Sequence, residues 1–205
     1  MRIVEEIDLL DLDDCKHSSG ITEVLADIRT SVTRLVWPPG ADKFTIYPES
    51  GKKSGQGNGV RPVRDAFVMQ LVDRGWTPEL DFPVVNPSSM ARFGPLDAAK
   101  LVDGKPFVVE WESGNISSSH RSMNKMGLGL VRGVIVGGVL VLPSARLASF
   151  LTDRIGNIRE LRPYFPVWEA LKPAAGYFGV MVIEHDAEST DVPRIRKGTD
   201  GRALL

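Results

Sequence analysis

Glu110-Trp111-Glu112 closes an apolar run that faces back, across Asp103-Gly104, toward Asp97. Asp-Gly is a strong two-residue hairpin signal, because the turn needs positive φ at both central positions. With Val102 set against Lys105, counting outward places Asp97 opposite Glu110. Side chains alternate across a strand with period two, so Glu112 shares that face. Facing Cβ atoms lie about 4.5–5.5 Å apart, where like charges are destabilising. Three carboxylates on one face therefore call for a counter-charge, and a divalent cation is the simplest. Oxygen-only donors suit Mg2+ or Mn2+, and suit Zn2+ poorly when no His or Cys joins them. Such an ion orients a water, lowers its pKa and neutralises charge on a scissile phosphate. Asp97, Glu110 and Glu112 are thus candidate metal-binding and catalytic residues. The structural alternative is that both glutamates face solvent and Asp97 only ends a loop.

The elements around this hairpin must hold it in place. Leu96, Ala98, Phe107, Val109 and Trp111 alternate with the acids, as in a half-buried sheet. Before it, Thr22–Val36 reads as a helix with an apolar stripe of Val24, Leu25, Ile28, Val32 and Leu35, capped at Thr22. Phe44–Tyr47 is a short strand candidate, and Pro62–Arg74 a second helix that stops at Gly75. Ser50–Gly59 reads as a mobile, glycine-rich loop that either connects or grips DNA; it lacks the spacing of a phosphate-binding loop. Residues 77–95 hold four prolines and should be irregular. After the hairpin, the serines 117–119 can cap a helix reaching about Leu130. A doubly buried strand is expected over Val134–Leu142, a helix over Ser144–Asn157, and an interrupted helical segment over Arg159–Leu171. A last strand spans Tyr177–Glu184. The order from Leu96 onward predicts an α/β fold with a mixed sheet flanked by helices.

Bulk properties narrow the setting. The 205 residues are 42% apolar and 25% charged, as in an ordinary globular domain. A lone Cys15 excludes an internal disulfide framework and fits a reducing, cytoplasmic location. The N-terminus is acidic, so no signal peptide is expected, and the longest apolar run is too short to cross a bilayer. Net charge is −1, yet residues 1–14 carry six acids and one base, whereas residues 113–165 carry seven Lys/Arg and two acids. A local basic surface for phosphates is compatible with that asymmetry.

Leu96-Asp97 followed by Pro106-Phe107-Val108-Val109-Glu110-Trp111-Glu112-Ser113-Gly114-Asn115 resembles the PD-(D/E)xK nuclease signature. More narrowly, it resembles the BamHI/BglII-type restriction endonucleases, in which Glu or Gln replaces the usual lysine. Asp97, Glu110-Trp111, Asn115 and Arg121 stand in that family's order, over roughly residues 62–185. The resemblance implies a restriction-endonuclease-like core with Asp97 and Glu110 as metal ligands and Glu112 as ligand or water-orienting base. It implies a single domain: an N-terminal helical and loop extension over 1–60, the catalytic core over 62–185 and a basic tail over 186–205. The implied function is Mg2+-dependent cleavage of double-stranded DNA, with Mn2+ able to substitute. Because duplex strands are related by a twofold axis, a homodimer is expected.

The helix after the catalytic strand approaches the DNA backbone in nucleases of this kind. Asn115, Ser118, His120, Arg121 and Lys125 are therefore the expected DNA-binding residues, although each equally suits a helix cap or solvated face. Lys125 could alternatively supply the missing active-site cation. The tail Pro193–Arg202 reads as a DNA-binding arm or a disordered terminus. Alternatives in function are a repair or structure-specific nuclease, a non-catalytic DNA-binding protein, and a small-molecule hydrolase.

Overall fold

A computed structural model describes residues 1–53, 55–81, 94–112, 114–152 and 155–197. Its centre is a six-stranded mixed sheet that runs, edge to edge, through β1 (Arg2–Leu12), β7 (Gly176–Glu184), β6 (Gly137–Pro143), β5 (Lys105–Trp111), β4 (Leu96–Val102) and β3 (Thr77–Leu80). β4 (Leu96–Val102) and β5 (Lys105–Trp111) form the expected hairpin, with Val102 facing Lys105 and Ala98 facing Val109. Asp103 and Gly104 turn it with φ of 50° and 80°, the paired positive values that a tight hairpin demands. β5 runs parallel to β6 (Gly137–Pro143), and β6 parallel to β7 (Gly176–Glu184). β6 is buried along its whole length, as its continuous apolar run predicted.

Two apolar layers cover the sheet. On one face, α1 (Ser19–Thr33) and α2 (Arg61–Val72) pack Ile28, Val32, Phe67 and Leu71 against Phe107, Val109 and Trp111. On the other, α3 (Ile116–Val131) and the short helices α5 (Ile158–Leu161) and α6 (Phe165–Glu169) set Met123, Met126, Leu161 and Trp168 against Val108, Leu140 and Phe178. Period-two alternation therefore points even-numbered residues of β5 toward α3. Leu96 departs from the expected pattern: it joins the α3-side layer, two residues beyond the last β4–β5 pair at Ala98.

The N-terminal extension expected over 1–60 is instead partly sheet. β1 (Arg2–Leu12) pairs antiparallel with β7 along one edge. Two bulges, between Ile3 and Glu5 and between Asp8 and Leu10, break its alternation and hid it from a period-two reading. Its acids are paired: Glu5 with Arg162 at 2.5 Å, Glu6 with Arg29 at 2.7 Å, and Asp8 with Lys16 at 2.6 Å. The cap of α1 is Ser18 rather than Thr22, its hydroxyl accepting from the amide of Ile21.

β3 (Thr77–Leu80) occupies the opposite edge, in a stretch expected to be irregular; an edge tolerates Pro78. Residues 82–93 of that stretch lie outside the described residues. β2 (Thr45–Ile46) pairs in parallel with β8 (Ala187–Glu188). The helix expected over Ser144–Asn157 shrinks to α4 (Ala145–Ser149). Beyond it, Leu151 bridges Asn58 and Ile155 bridges Asn115, contacts that need extended backbone.

The glycine-rich loop and the tail are also built into the body. Asn58 is fully buried, its amide donating to Phe150 and its side chain donating to Tyr47, both at 2.8 Å. Its Oδ1 accepts from the amide of Ile195, which is itself buried. Arg194 reaches Glu49 at 2.6 Å, and Lys197 donates to the carbonyl of Gln56. A free connector does not describe residues 56–59, nor a disordered terminus residues 193–197; Gly198–Arg202 lie outside the described residues.

Candidate active site

The two glutamates emerge at the end of β5 on the α3 face, where the strand meets the helix that follows it. Glu110 and Glu112 are only 7% and 4% exposed, which rejects the solvent-facing alternative. Lys125, just past the middle of α3, brings its ammonium within 3.0 Å of Glu110. The same ammonium donates to the carbonyls of Gly94 and Pro95, so all its hydrogens point inward. Glu112 accepts a short hydrogen bond from the hydroxyl of Ser119 and a second, at 2.6 Å, from the amide of Gly114. A Cβ at position 114 would lie 2.6 Å from the Ser118 hydroxyl and 2.9 Å from its Cβ, so a larger residue there would have to displace Ser118.

Asp97 closes the group from the neighbouring strand. Its Oδ2 accepts from the amide of Trp111 at 2.7 Å, standing in for a ladder carbonyl where the hairpin ends. Its Oδ1 accepts from Arg64 of α2, at 2.6 and 3.1 Å. Burial opposes the charge of Arg64, but Asp97 and Asp65 outweigh it and hold the guanidinium firmly protonated. Across the sheet edge, the β3 ladder skips Glu79 opposite Asp97; this exposed acid has a φ of 51°.

The electrostatics mark these carboxylates as neighbours. Burial, then the charge of Asp97, raises the pKa of Glu110 against the pull of Lys125. Burial pushes Glu112 up to about 7, with Glu110 and Asp97 adding to the rise despite the bonds from Ser119 and Gly114. Two buried carboxylates raised in this way accept protons near neutral pH or bind a cation that removes the repulsion. Among the described residues, no three His, Cys, Asp or Glu side chains are grouped as a ready ligand set. Each acid is held by another group instead: Asp97 by Arg64, Glu110 by Lys125 and Glu112 by Ser119. The donor chemistry still fits a hard divalent ion, since every candidate ligand is a carboxylate oxygen and no imidazole or thiolate stands among them.

The five expected DNA-binding residues separate into four groups. Asn115 is the exposed N-cap of α3, accepting from the amide of Ser117, the capping task expected of the serines. Ser118 accepts from the exposed Arg121 at 3.0 Å, so these two share the open end of the helix. His120 turns away, packing edge-on against Tyr164 at 4.4 Å and beside Trp168. Lys125 lies inside the site, in the position its alternative reading gave it. One residue along a helix is a 100° rotation, which parts His120 from Arg121.

A family model described as restriction endonuclease BamHI matches residues 1–202. The chain belongs to the BamHI restriction endonuclease family. The type II restriction enzyme OkrAI of Oceanobacter kriegii is 45% identical over 185 residues, covering 90% of this chain and 91% of that enzyme. The type II restriction enzyme BamHI of Bacillus amyloliquefaciens is 34% identical over 186 residues, covering 88% and 83%. A crystal structure of restriction endonuclease BglII with a DNA 16-mer shares the fold, with a TM-score of 0.65 at 10% identity over 95% of this chain and 88% of that one. In this BamHI-family chain, sequence reasoning missed Arg64 altogether. Nothing local signals it; only the packing of α2 beside the end of β4 brings it to Asp97.

Proposed function

We propose that the chain is a Mg2+-dependent type II-like restriction endonuclease that hydrolyses phosphodiester bonds of double-stranded DNA as a homodimer. The observation that carries the site assignment is the burial of Glu110 and Glu112 beside Asp97, with Lys125 on Glu110. Asp97 and Glu110 would hold the metal, with Glu112 as a further ligand or as the base. When bound, Mg2+ supplies neutralisation of phosphate charge and a lowered water pKa. Mn2+ has the same preference for oxygen and can take its place.

The chain's own groups do the rest. Glu112, deprotonated above about 7, accepts a proton from the attacking water at a carboxylate oxygen, while Ser119 and Gly114 fix its rotamer. The water oxygen attacks phosphorus in line, and the bond to the leaving oxygen breaks, that oxygen taking a proton from solvent water. Lys125 favours the ionised form of Glu110 and holds it in place. Ser118 and Arg121, at the open end of α3, would meet the DNA, with Asn115 beside them. A cytoplasmic location accords with the unpaired Cys15, and no described helix is long and apolar enough to cross a membrane.

The test is direct. Purified protein with Mg2+ should cut plasmid into discrete bands, and Glu110→Ala should stop cleavage while retaining most DNA binding. Cutting by that variant at the wild-type rate would remove Glu110 from the mechanism. A smear from the wild-type protein would favour an unspecific nuclease.

A further inference from the structure

Arg64 forms an ion pair with a carboxylate that the proposed chemistry needs for a metal. Its guanidinium bonds Asp97 through Nε and a terminal nitrogen, at 3.1 and 2.6 Å, and reaches Asp65 at 3.0 Å through the other. Asp97 is 13% exposed and Arg64 20%, so the pair is only partly screened by water. A divalent ion on Asp97 would meet a full positive charge a few ångströms away. At an effective dielectric near 20, two unit charges 4 Å apart already interact strongly, and a doubly charged ion doubles that repulsion. Arg64 must therefore swing off Asp97 or the metal binds weakly.

We propose that Arg64 is a latch: it occupies Asp97 in the free protein, and moves to a DNA phosphate when a metal takes the carboxylate. This rests on the reading of Asp97 as a metal ligand. The guanidinium fork matches a carboxylate and a phosphate equally well, so the exchange keeps its hydrogen bonds. The phosphate offers a negative charge at the moment Asp97 is withdrawn. Asp65, half exposed beside Arg64, gives the side chain a second anchor during the swing. Arg64 is thus a positioning residue that makes metal affinity depend on DNA, which keeps the free protein short of bound metal.

The test uses the whole protein without DNA, titrated calorimetrically with Ca2+, and then DNA binding in Ca2+ across a salt series. Arg64→Gln should bind Ca2+ about tenfold more tightly than the natural protein. Arg64→Lys, which keeps the charge, should stay within about twofold of it. In DNA binding, the salt slope of Arg64→Gln should fall by about one phosphate contact. Arg64→Met replaces the Gln variant should that fail to fold. Ca2+ affinity that is unchanged or weaker in the neutral variant, or an unchanged salt slope, overturns the latch. Asp97→Asn separates the two readings: loss of Ca2+ binding upholds Asp97 as ligand whatever Arg64 does. Natural affinity in Asp97→Asn removes the ligand reading and the latch with it.

Discussion

Each acid of the site carries a different partner, and each partner sets a different sensitivity. Glu112 has a folded pKa of about 7 against an ordinary 4.5, so between those values the folded chain holds a proton that the unfolded chain has released. Stability therefore rises as pH falls through 7, and the gain is complete below about 4.5. Without metal, the protein should melt higher at pH 6 than at pH 8. Glu112→Gln should stabilise it at pH 8 by about 2 kcal/mol and flatten that dependence, as read by calorimetric melts. Lys125→Met should act in the opposite sense. Removing one partner of a buried pair costs about 3–5 kcal/mol, here largest at pH 8 and recovered toward pH 5 as Glu110 takes up a proton. Equal losses at both pH values would show that Lys125 serves packing alone. The two glutamates and Asp97 were legible from spacing, because a two-residue turn fixes register over the few residues that follow. Lys125 was visible only as an alternative, since a helix position does not say how deeply a long side chain reaches.

At the scale of elements, the hairpin and α3 act as one unit. The turn at Asp103-Gly104 sets the register of β4 on β5, Gly114 admits the amide that holds Glu112, and Asn115 caps the helix that delivers Ser119 and Lys125. Asn115→Ala should cost about 1 kcal/mol, a drop of about 2–4 °C in melting temperature. An unchanged melting temperature would mean that solvent satisfies the helix end as well as Asn115 does. The strands with clean alternation or continuous apolar runs, β4 to β7, were readable for that reason. β1 was not, because its two bulges scramble the period, and its acids look solvated until Arg29 and Arg162 are seen against them. The α4 region misled in the other direction. Its apolar stripe is real, but Leu151 and Ile155 are buried by extended chain that bridges to Asn58 and Asn115.

At the scale of the whole molecule, distant segments close around the catalytic core. The N-terminal strand lines one sheet edge, and the tail up to Lys197 threads back onto Asn58 and Glu49. Truncation after Asp191 would remove the Ile195 partners of the Asn58 Oδ1 and the Gly59 amide and open the site that Ile195 fills. That should lower stability by about 2–4 kcal/mol in urea titrations. A loss below about 1 kcal/mol would mark the tail as an appendage. Such long-range closure cannot be read from local pattern, which is why the tail looked free in sequence. A homodimer, expected because each duplex strand must be cut, should elute in gel filtration at twice the chain's mass.

The central claim is that Asp97 and Glu110 share a divalent ion. It is tested most directly by Mn2+ anomalous diffraction from crystals of the protein with DNA. An anomalous peak about 2.0–2.2 Å from oxygens of both side chains is the expected result. Strong Mn2+ density elsewhere in the complex, with Asp97 still held by Arg64, would contradict it.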